Sequence, residues 1–303
     1  MEFTFQIEAD QAQIRLDKLL GQLYPDYTRS YIQKLIQDGQ VTLNGKTAKV
    51  SAKGSAGDVI HMVIPEAQPL EIAAENIPLD ILYEDKDLII VNKPKGMVVH
   101  PAAGHYNGTL VNALLYHCRD SLSGINGIMR PGIVHRIDQD TTGALIVCKN
   151  DQAHQAIAAQ LAVHSGKRCY RAIVHGRLKE DGTIHTTIGR HPVNRKEMAV
   201  NVPGGKDAVT HYHILERFDQ FTYIECALET GRTHQIRVHM KSIGHPILGD
   251  QVYGPAKCPF KGLQGQTLHA MLIGFVHPST GQYMEFTAPL PEYFEELLRK
   301  LRG

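Results

Sequence analysis

Residues 130–148 read Arg-Pro-Gly-Ile-Val-His-Arg-Ile-Asp-Gln-Asp-Thr-Thr-Gly-Ala-Leu-Ile-Val-Cys, a polar loop that runs directly into an apolar strand. Active sites concentrate in loops that rigid strands hold in place. Positions 135–142 contain one histidine, one arginine, two aspartates and two threonines, more polar groups than a turn requires. We predict that Asp138 is a catalytic carboxylate. The alternative is an Asx-type turn in which Gly143 supplies a positive φ.

A second polar segment lies at residues 229–240, Glu-Thr-Gly-Arg-Thr-His-Gln-Ile-Arg-Val-His-Met. Alternation along a strand would place Arg232, His234 and Ile236 on one face. A buried arginine needs an acidic partner, and an arginine beside a nucleophilic carboxylate keeps that carboxylate charged while water is excluded. We therefore predict an ion pair between Arg232 and Asp138. The alternatives are a purely structural ion pair and a surface arginine bound to phosphate.

A tyrosine provides the third signal, within the strand predicted at residues 170–174. Tyr170 should share a face with Ala172 and Val174. A tyrosine directed into an apolar pocket can stack on a base or relay a proton through its hydroxyl. The alternative is an ordinary core tyrosine.

The N-terminal segment predicts a small αβ module. Apolar residues recur at helical spacing in residues 16–23 and again at Ile32, Leu35 and Ile36, and the pair Asn44-Gly45 is typical of a hairpin turn. Two short helices on a hairpin sheet resemble the S-four type RNA-binding domain over residues 14–65. That resemblance makes Arg29 and Lys34, expected on the exposed face of the second helix, candidate RNA contacts. A generic module with a solvated basic face is the alternative.

Three segments describe the chain: an RNA-binding domain at residues 1–65, a proline-containing linker at 66–79, and a catalytic domain at 80–303. The pattern of residues 80–303 predicts many strands with few helices between them. It also predicts a C-terminal amphipathic helix that begins at Pro291. We expect an α+β fold with a mixed, mainly antiparallel sheet, because a regular strand and helix alternation is missing from the pattern.

Composition indicates a water-soluble protein of a reducing compartment. The 32 basic and 31 acidic residues give a net charge of +1, so RNA binding would rest on the distribution of charge. Five scattered cysteines include no Cys-x-x-Cys pair, which argues against disulfides and thiolate zinc sites. No signal peptide and no apolar run of membrane-spanning length is recognisable. We expect a cytoplasmic protein without a membrane partner.

In this order, the three signals closely resemble the RluA-type family of pseudouridine synthases, whose signature is His-Arg-Leu-Asp-x-x-Thr-Ser/Thr-Gly. The resemblance extends to residues 84–101, to Gly-Arg-Thr-His-Gln-Ile-Arg at 231–237, and to Gly-Asp-Gln-Val-Tyr-Gly at 249–254. With the basic N-terminal module, the chain resembles the ribosomal large subunit pseudouridine synthase D subgroup most. Ile137 replaces the commoner leucine, and Thr142 is one of the two hydroxyl residues that the signature accepts.

The resemblance implies isomerisation of uridine to pseudouridine in RNA, expected to be large-subunit ribosomal RNA, without cofactor or metal. Asp138 would attack the ribose, add to the uracil ring or assist a glycal intermediate. Arg232 would match the arginine paired with it, Tyr170 the base-stacking tyrosine, and Arg136 the residue that fills the gap left by the flipped nucleotide. Lys93 and Arg190 are expected to contact phosphate. A monomer is expected.

Two other functions remain open from the sequence. One is a non-catalytic RNA-binding or ribosome-assembly factor that works through its basic module. The other is a metal-dependent RNA hydrolase built on the seventeen histidines, although their spacing matches no zinc-binding pattern.

Overall fold

The computed structural model describes residues 2–24, 29–64, 72–101, 105–119, 121–125 and 131–303. They divide into two compact units, Met1–Leu70 and Glu71–Gly303. Of the predicted linker, residues 66–71 lie outside the described residues. Residues 72–79 belong to the second unit: Ile72 and Leu79 pack against its main core, and the amide of Asn112 donates to the Ala73 carbonyl. No helix in the described ranges is long and apolar enough to cross a membrane.

The first unit packs two helices on a four-stranded antiparallel sheet of order β1-β4-β2-β3. Asn44 and Gly45 both have positive φ, as the predicted hairpin turn requires. Leucines and isoleucines from both helices and the sheet form its core. The elements are β1 Glu2–Gln6, α1 Leu16–Leu23, α2 Arg29–Gln37, β2 Val41–Leu43, β3 Lys46–Thr47 and β4 Val59–Val63.

The second unit is built on a ten-stranded sheet of order β10-β9-β11-β12-β8-β13-β7-β6-β5, with β14 paired to β13. Among the described residues, every strand pair of this sheet is antiparallel except the parallel pair of β13 and β7, so the predicted mixed, mainly antiparallel α+β fold is confirmed. The strands are β5 Ile81–Glu84, β6 Leu88–Lys93, β7 Thr142–Cys148, β8 Lys167–His175, β9 Gly182–Arg190, β10 Met198–Val200, β11 Lys206–Arg217, β12 Phe221–Leu228, β13 Leu268–Val276 and β14 Tyr283–Thr287.

Helices cover both faces of this sheet. They are α3 Leu110–Cys118, α4 Asp151–Ala162, α5 Gln235–Ser242 and α6 Glu292–Arg302. On β8, Tyr170, Ala172 and Val174 face the main core, as predicted, while Ile173 packs with Phe294 of α6 on the opposite side. The central strand therefore has a buried residue on each side, with Tyr170 at the end nearest the polar loops.

The strand predicted at residues 232–237 is wrong. The chain forms a loop there and then enters α5 at Gln235, with His234 in the left-handed conformation just before the helix. Ile236, Val238 and Met240 are all buried because two different cores cover the two sides of this helix. Apolar residues at alternate positions look like a strand in sequence, and only the packing on both sides makes them a helix.

Candidate active site

A cavity of about 500 Å³ opens beside the loop that precedes β7. Its polar lining comes mainly from that loop, from β8, and from α5 with the segment that leads into it, while α4, β12 and β13 add apolar residues. Asp138, Tyr170 and Arg232, which come from three separate segments of the sequence, all line it, and so does Arg136, which the family resemblance named.

Local contacts hold the loop in place. Ile137 is buried in the main core, so its neighbours Arg136 and Asp138 are left to face the cavity. His135 Nε2 accepts a hydrogen bond from the Ile146 amide at 2.9 Å. Burial, and secondly the charge of Arg168, lower the pKa of His135 to about 3, so it acts as a neutral acceptor. Gly143 follows with φ of 108° and passes so close to Ala270 on β13 that any side chain would collide with its backbone.

Asp138 is bound to an arginine of α5. Its Oδ2 atom accepts a hydrogen bond from Arg237 Nη1 at 2.8 Å, and Oδ1 lies 3.7 Å from His234 Nε2, beyond hydrogen-bonding distance. The Asp138 carbonyl accepts from the Thr141 amide at 3.0 Å, closing a tight turn. The backbone carbonyl, and not the carboxylate, closes this turn, so the side chain of Asp138 presents a carboxylate oxygen to the cavity.

The predicted ion pair between Arg232 and Asp138 is wrong, because Arg237 occupies that place. Arg232 lines the cavity, but its Nε atom donates to the Asp207 carbonyl at 2.9 Å. The reason is that residues from Gln235 onward form a helix. Arg237 lies in the first turn of α5, beside Asp138, whereas Arg232 lies in the preceding loop. The signal that was missed is Arg237 itself, an arginine between apolar Ile236 and Val238, where a buried charge needs carboxylate partners.

Burial also sets the state of the neighbouring groups. The pKa of Tyr170 is raised, first by burial, so its hydroxyl is protonated at neutral pH. The pKa of His234 is lowered, again first by burial, although Asp138 acts in the opposite direction. Near Asp138 the permanent cations of the cavity are therefore arginines, namely Arg136, Arg168, Arg232 and Arg237.

The predicted phosphate contact of Lys93 is wrong. Its side chain is fully buried at the end of β6, and its ammonium donates to the carbonyls of Pro94, Met97 and Gln139, each at 2.8 Å. Burial lowers the pKa of Lys93 to about 7, against the opposing charges of Asp140 and Asp138. Lys93 ties the Asp138 loop to the sheet, and solvent or RNA cannot reach it.

The other predicted RNA contacts lie at the surface. Lys34 is exposed on α2, and Arg190 is exposed at the end of β9, where its Nη1 atom donates to the Arg195 carbonyl. Arg29 is half exposed, but its Nε and Nη2 atoms bind the buried carboxylate of Asp17. Contact of these three residues with RNA stays a prediction.

Among the described residues, Asp85, Asp87 and His277 are close enough to hold a metal ion. Their atoms already bind one another and the backbone: His277 Nδ1 faces the amides of Ser279 and Thr280, and Nε2 lies 2.7 Å from Asp85. Since Nδ1 accepts, Nε2 carries the proton and points it at Asp85. These hydrogen bonds hold the turn after β13 in place, which suits a structural role better than a metal site.

Known proteins resemble the chain over nearly its full length. The family model of the RNA pseudouridylate synthases matches residues 87–242, and that of the S4 domain matches residues 14–60. An uncharacterized RNA pseudouridine synthase of Bacillus subtilis is 53% identical, covering 97% of this chain and 96% of the relative. The ribosomal large subunit pseudouridine synthase D of Zymomonas mobilis is 48% identical, with coverages of 95% and 93%.

Solved structures agree with the fold. The human RNA pseudouridylate synthase domain containing 1 superposes with a TM-score of 0.57 at 24% identity, and the match covers 79% of this chain and 98% of the human one. At that identity the likeness concerns the fold alone, and the closer sequence relatives carry the family assignment. The chain belongs to the RNA pseudouridylate synthase family and, with its S4 domain, is an RNA pseudouridine synthase, an isomerase.

Proposed function

We propose that this enzyme modifies large-subunit ribosomal RNA by flipping a uridine into the cavity of about 500 Å³, where Asp138 acts as the catalytic carboxylate. The observation that carries the proposal is the position of Asp138. One of its oxygens is bound to Arg237 at 2.8 Å, and its side chain lines the same cavity as Tyr170. A cavity of this volume suits a small ligand such as a single nucleotide.

The reaction rearranges one nucleotide without any net oxidation. The bond between N1 of uracil and C1′ of the ribose breaks, a bond between C5 and C1′ forms, C5 loses a proton and N1 gains one. Attack on the ribose, addition to the uracil ring and a glycal intermediate are the routes that the resemblance allows. In all three, the Asp138 carboxylate meets the nucleotide in the cavity.

Tyr170 is proposed to stack on the flipped base. Its ring belongs to the main core and is nearly buried, so its position is fixed before the RNA arrives. Because its pKa is raised, the hydroxyl is neutral and suits a hydrogen bond or a proton relay better than action as a phenolate base. Base flipping costs a few kcal/mol, which favours uridines that are already poorly stacked.

Arginines supply the contacts with RNA. Arg136 is exposed at the cavity and is proposed to fill the gap left in the RNA, while Arg232 and Arg168 line the wall. The S4 domain, with Lys34 exposed on α2, is proposed to anchor structured RNA. The choice of large-subunit ribosomal RNA follows the name of the Zymomonas relative. A cytoplasmic monomer without cofactor or metal completes the proposal.

Replacement of the carboxylate tests this function directly. Asp138→Asn should lower single-turnover pseudouridine formation at least about 1,000-fold, since removal of a catalytic group has effects of this size or larger. RNA affinity should stay within a few-fold, because Asp138 is not a phosphate contact. Pseudouridine mapping on ribosomal RNA and a filter-binding assay measure the two quantities.

The matched control is Asp219→Asn, an exposed aspartate outside the cavity, which should leave both quantities unchanged. Retained pseudouridine formation in Asp138→Asn would contradict the catalytic assignment. If that variant also complements a deletion strain fully, the non-catalytic role in ribosome assembly becomes the better account of the biological function.

A further inference from the structure

A second buried carboxylate lies behind the arginine that binds Asp138. Asp250 Oδ2 accepts from Arg237 Nε at 2.7 Å, and Oδ1 accepts from Nη2 at 3.0 Å, which makes a two-bond fork. The side chain of Asp250 is fully buried, and that of Arg237 is 7% exposed. Two of the three donor nitrogens of the guanidinium therefore face Asp250, and Nη1 is left for Asp138.

Asp250 is itself held rigidly by the loop that follows it. Its Oδ1 atom accepts from the amides of Val252 at 2.9 Å and Tyr253 at 3.0 Å. The Tyr253 ring lies beside the guanidinium, with 5.1 Å from Arg237 Cζ to the ring centroid, and its hydroxyl contacts His234 Nδ1 at 2.8 Å. A carboxylate that accepts this many hydrogen bonds is held in one position, and it holds the guanidinium that it binds.

The negative charge of Asp250 has an effect of its own, besides the position that it gives to Arg237. Burial acts to raise the pKa of Asp250, but the hydrogen bonds and charge of Arg237 and the two backbone amides outweigh it and lower that pKa. Asp250 is thus an anion at neutral pH, and a single guanidinium serves two carboxylates. Each carboxylate weakens the hold of Arg237 on the other.

We propose that Asp250 is a positioning residue for the reaction: it aims one N–H of Arg237 at Asp138 and, by sharing the guanidinium, keeps the Asp138 carboxylate reactive. The proposal rests on the proposed catalytic role of Asp138. It assigns a function to Gly-Asp-Gln-Val-Tyr-Gly at 249–254, which does not line the cavity. Asp250 would act only through Arg237.

Other charged and titratable groups also surround Asp138, and they remain in place when Asp250 is changed. They are Arg136 and Asp140 on its own loop, Lys93 at the end of β6, Arg168 and Tyr170 on β8, Arg232 and His234 before α5, Arg237 on α5, and Tyr253 after Asp250. A change in pH dependence after a substitution at 250 alone therefore reports the lost Asp250 charge.

The experiment measures the steady-state kcat and KM of pseudouridine formation against pH for Asp250→Asn and Asp250→Glu. Asp250→Asn should lower kcat about 10- to 100-fold with KM for RNA within about 3-fold, because misplacement of a catalytic group by about 1 Å has effects of this order. Its acid limb should move to lower pH, because the site loses a negative charge beside Arg237 and the guanidinium then serves Asp138 alone. Asp250→Glu should lower kcat but leave the acid limb in place, because the charge is kept.

Controls separate this inference from the proposed function. Asp219→Asn should behave as the wild type, and thermal unfolding shows whether each variant is folded. An inactive Asp138→Asn together with unchanged kcat and pH dependence in Asp250→Asn would overturn the role of Asp250 alone, whereas an active Asp138→Asn would overturn the proposed function. If Asp250→Asn does not fold, Asp250→Glu decides: lowered kcat with an unmoved acid limb supports the proposal, and unchanged kcat overturns it.

Discussion

Three buried cations at the site differ in how their charge is compensated. Arg237 binds two carboxylates, while Lys93 binds three backbone carbonyls and has Asp138 and Asp140 only as nearby charges. Arg168 donates through Nη2 to the Glu229 carbonyl, and its Nε atom has no partner among the described residues. The partners differ accordingly: Arg237 binds the Asp138 carboxylate, Lys93 holds backbone carbonyls together, and Arg168 lines the cavity wall.

Lys93→Met should therefore lower stability, not RNA affinity. Methionine fills a similar volume but removes the donor of the Pro94 and Met97 carbonyls, whereas the Gln139 carbonyl keeps the Gly96 amide at 3.0 Å. Each carbonyl that stays buried and unsatisfied costs about 1–3 kcal/mol. We expect the second unit to lose at least about 2 kcal/mol of unfolding free energy. Urea unfolding followed by circular dichroism measures it.

The control for this prediction is Lys206→Met, an exposed lysine at the start of β11, whose effect should be within about 0.5 kcal/mol. If Lys93→Met instead keeps full stability and weakens RNA binding, Lys93 is a phosphate contact after all.

At the scale of elements, the two helices of the first unit are joined through the carboxylate of Asp17 and its hydrogen-bond donors, here called the ionic clamp. Asp17 of α1 is buried and accepts hydrogen bonds from Arg15, which precedes α1, and from Arg29 and Gln33 of α2. Burial acts to raise the pKa of Asp17, but these donors together lower it to about 2. The basic residue Arg29 on α2 thus has a structural role beside any role in RNA binding.

Acid should weaken this clamp. A carboxylate whose folded pKa is depressed contributes stability that is present above its unfolded pKa of about 4 and is lost as pH falls through the folded value of about 2. Asp17→Asn should destabilise the helices by about 1–2 kcal/mol at pH 7, a figure reduced because both arginines are half exposed. Hydrogen exchange of the α1 and α2 amides at pH 7 reports that loss.

Acid unfolding of the same variant checks the sign. The difference between wild type and Asp17→Asn should shrink as the pH falls from about 4 to about 2. Asp38→Asn, an exposed aspartate just after α2, should match the wild type throughout. A difference that grows on acidification would show that the clamp does not depend on the Asp17 charge.

On the scale of the whole molecule, positive and negative charges nearly cancel, but they are unevenly distributed. The net charge is +1, yet four arginines line a cavity in which Asp138 is the one acid among the described lining residues. Attraction to RNA must therefore come from local arrays and not from a global field. This distribution places the Asp138 carboxylate among arginines in a protein that is nearly neutral as a whole.

RNA binding should consequently weaken steeply with salt. The logarithm of the affinity should fall linearly with the logarithm of salt concentration, because phosphate contacts release counterions. Removal of one true phosphate contact, by Lys34→Ala or Arg190→Ala, should lower the slope by about 1. Fluorescence anisotropy of a labelled ribosomal RNA fragment over a salt series measures both, with Lys206→Ala as the control. A flat response would contradict an RNA substrate bound through phosphates.

Apolar periodicity, polar loops and turn residues in the sequence by itself determined the fold class, and the resemblance of three segments to one family indicated that Asp138 and Tyr170 share a site. Only the tertiary structure decided which cations surround Asp138. Arg232 and Arg237 are five residues apart in one segment, and the choice between them depends on a helix whose two sides are covered by different cores. The prediction for Lys93 was wrong for the same physical reason. Burial of a long charged side chain depends on carbonyls that are distant in sequence, such as that of Gln139, and no local pattern predicts them.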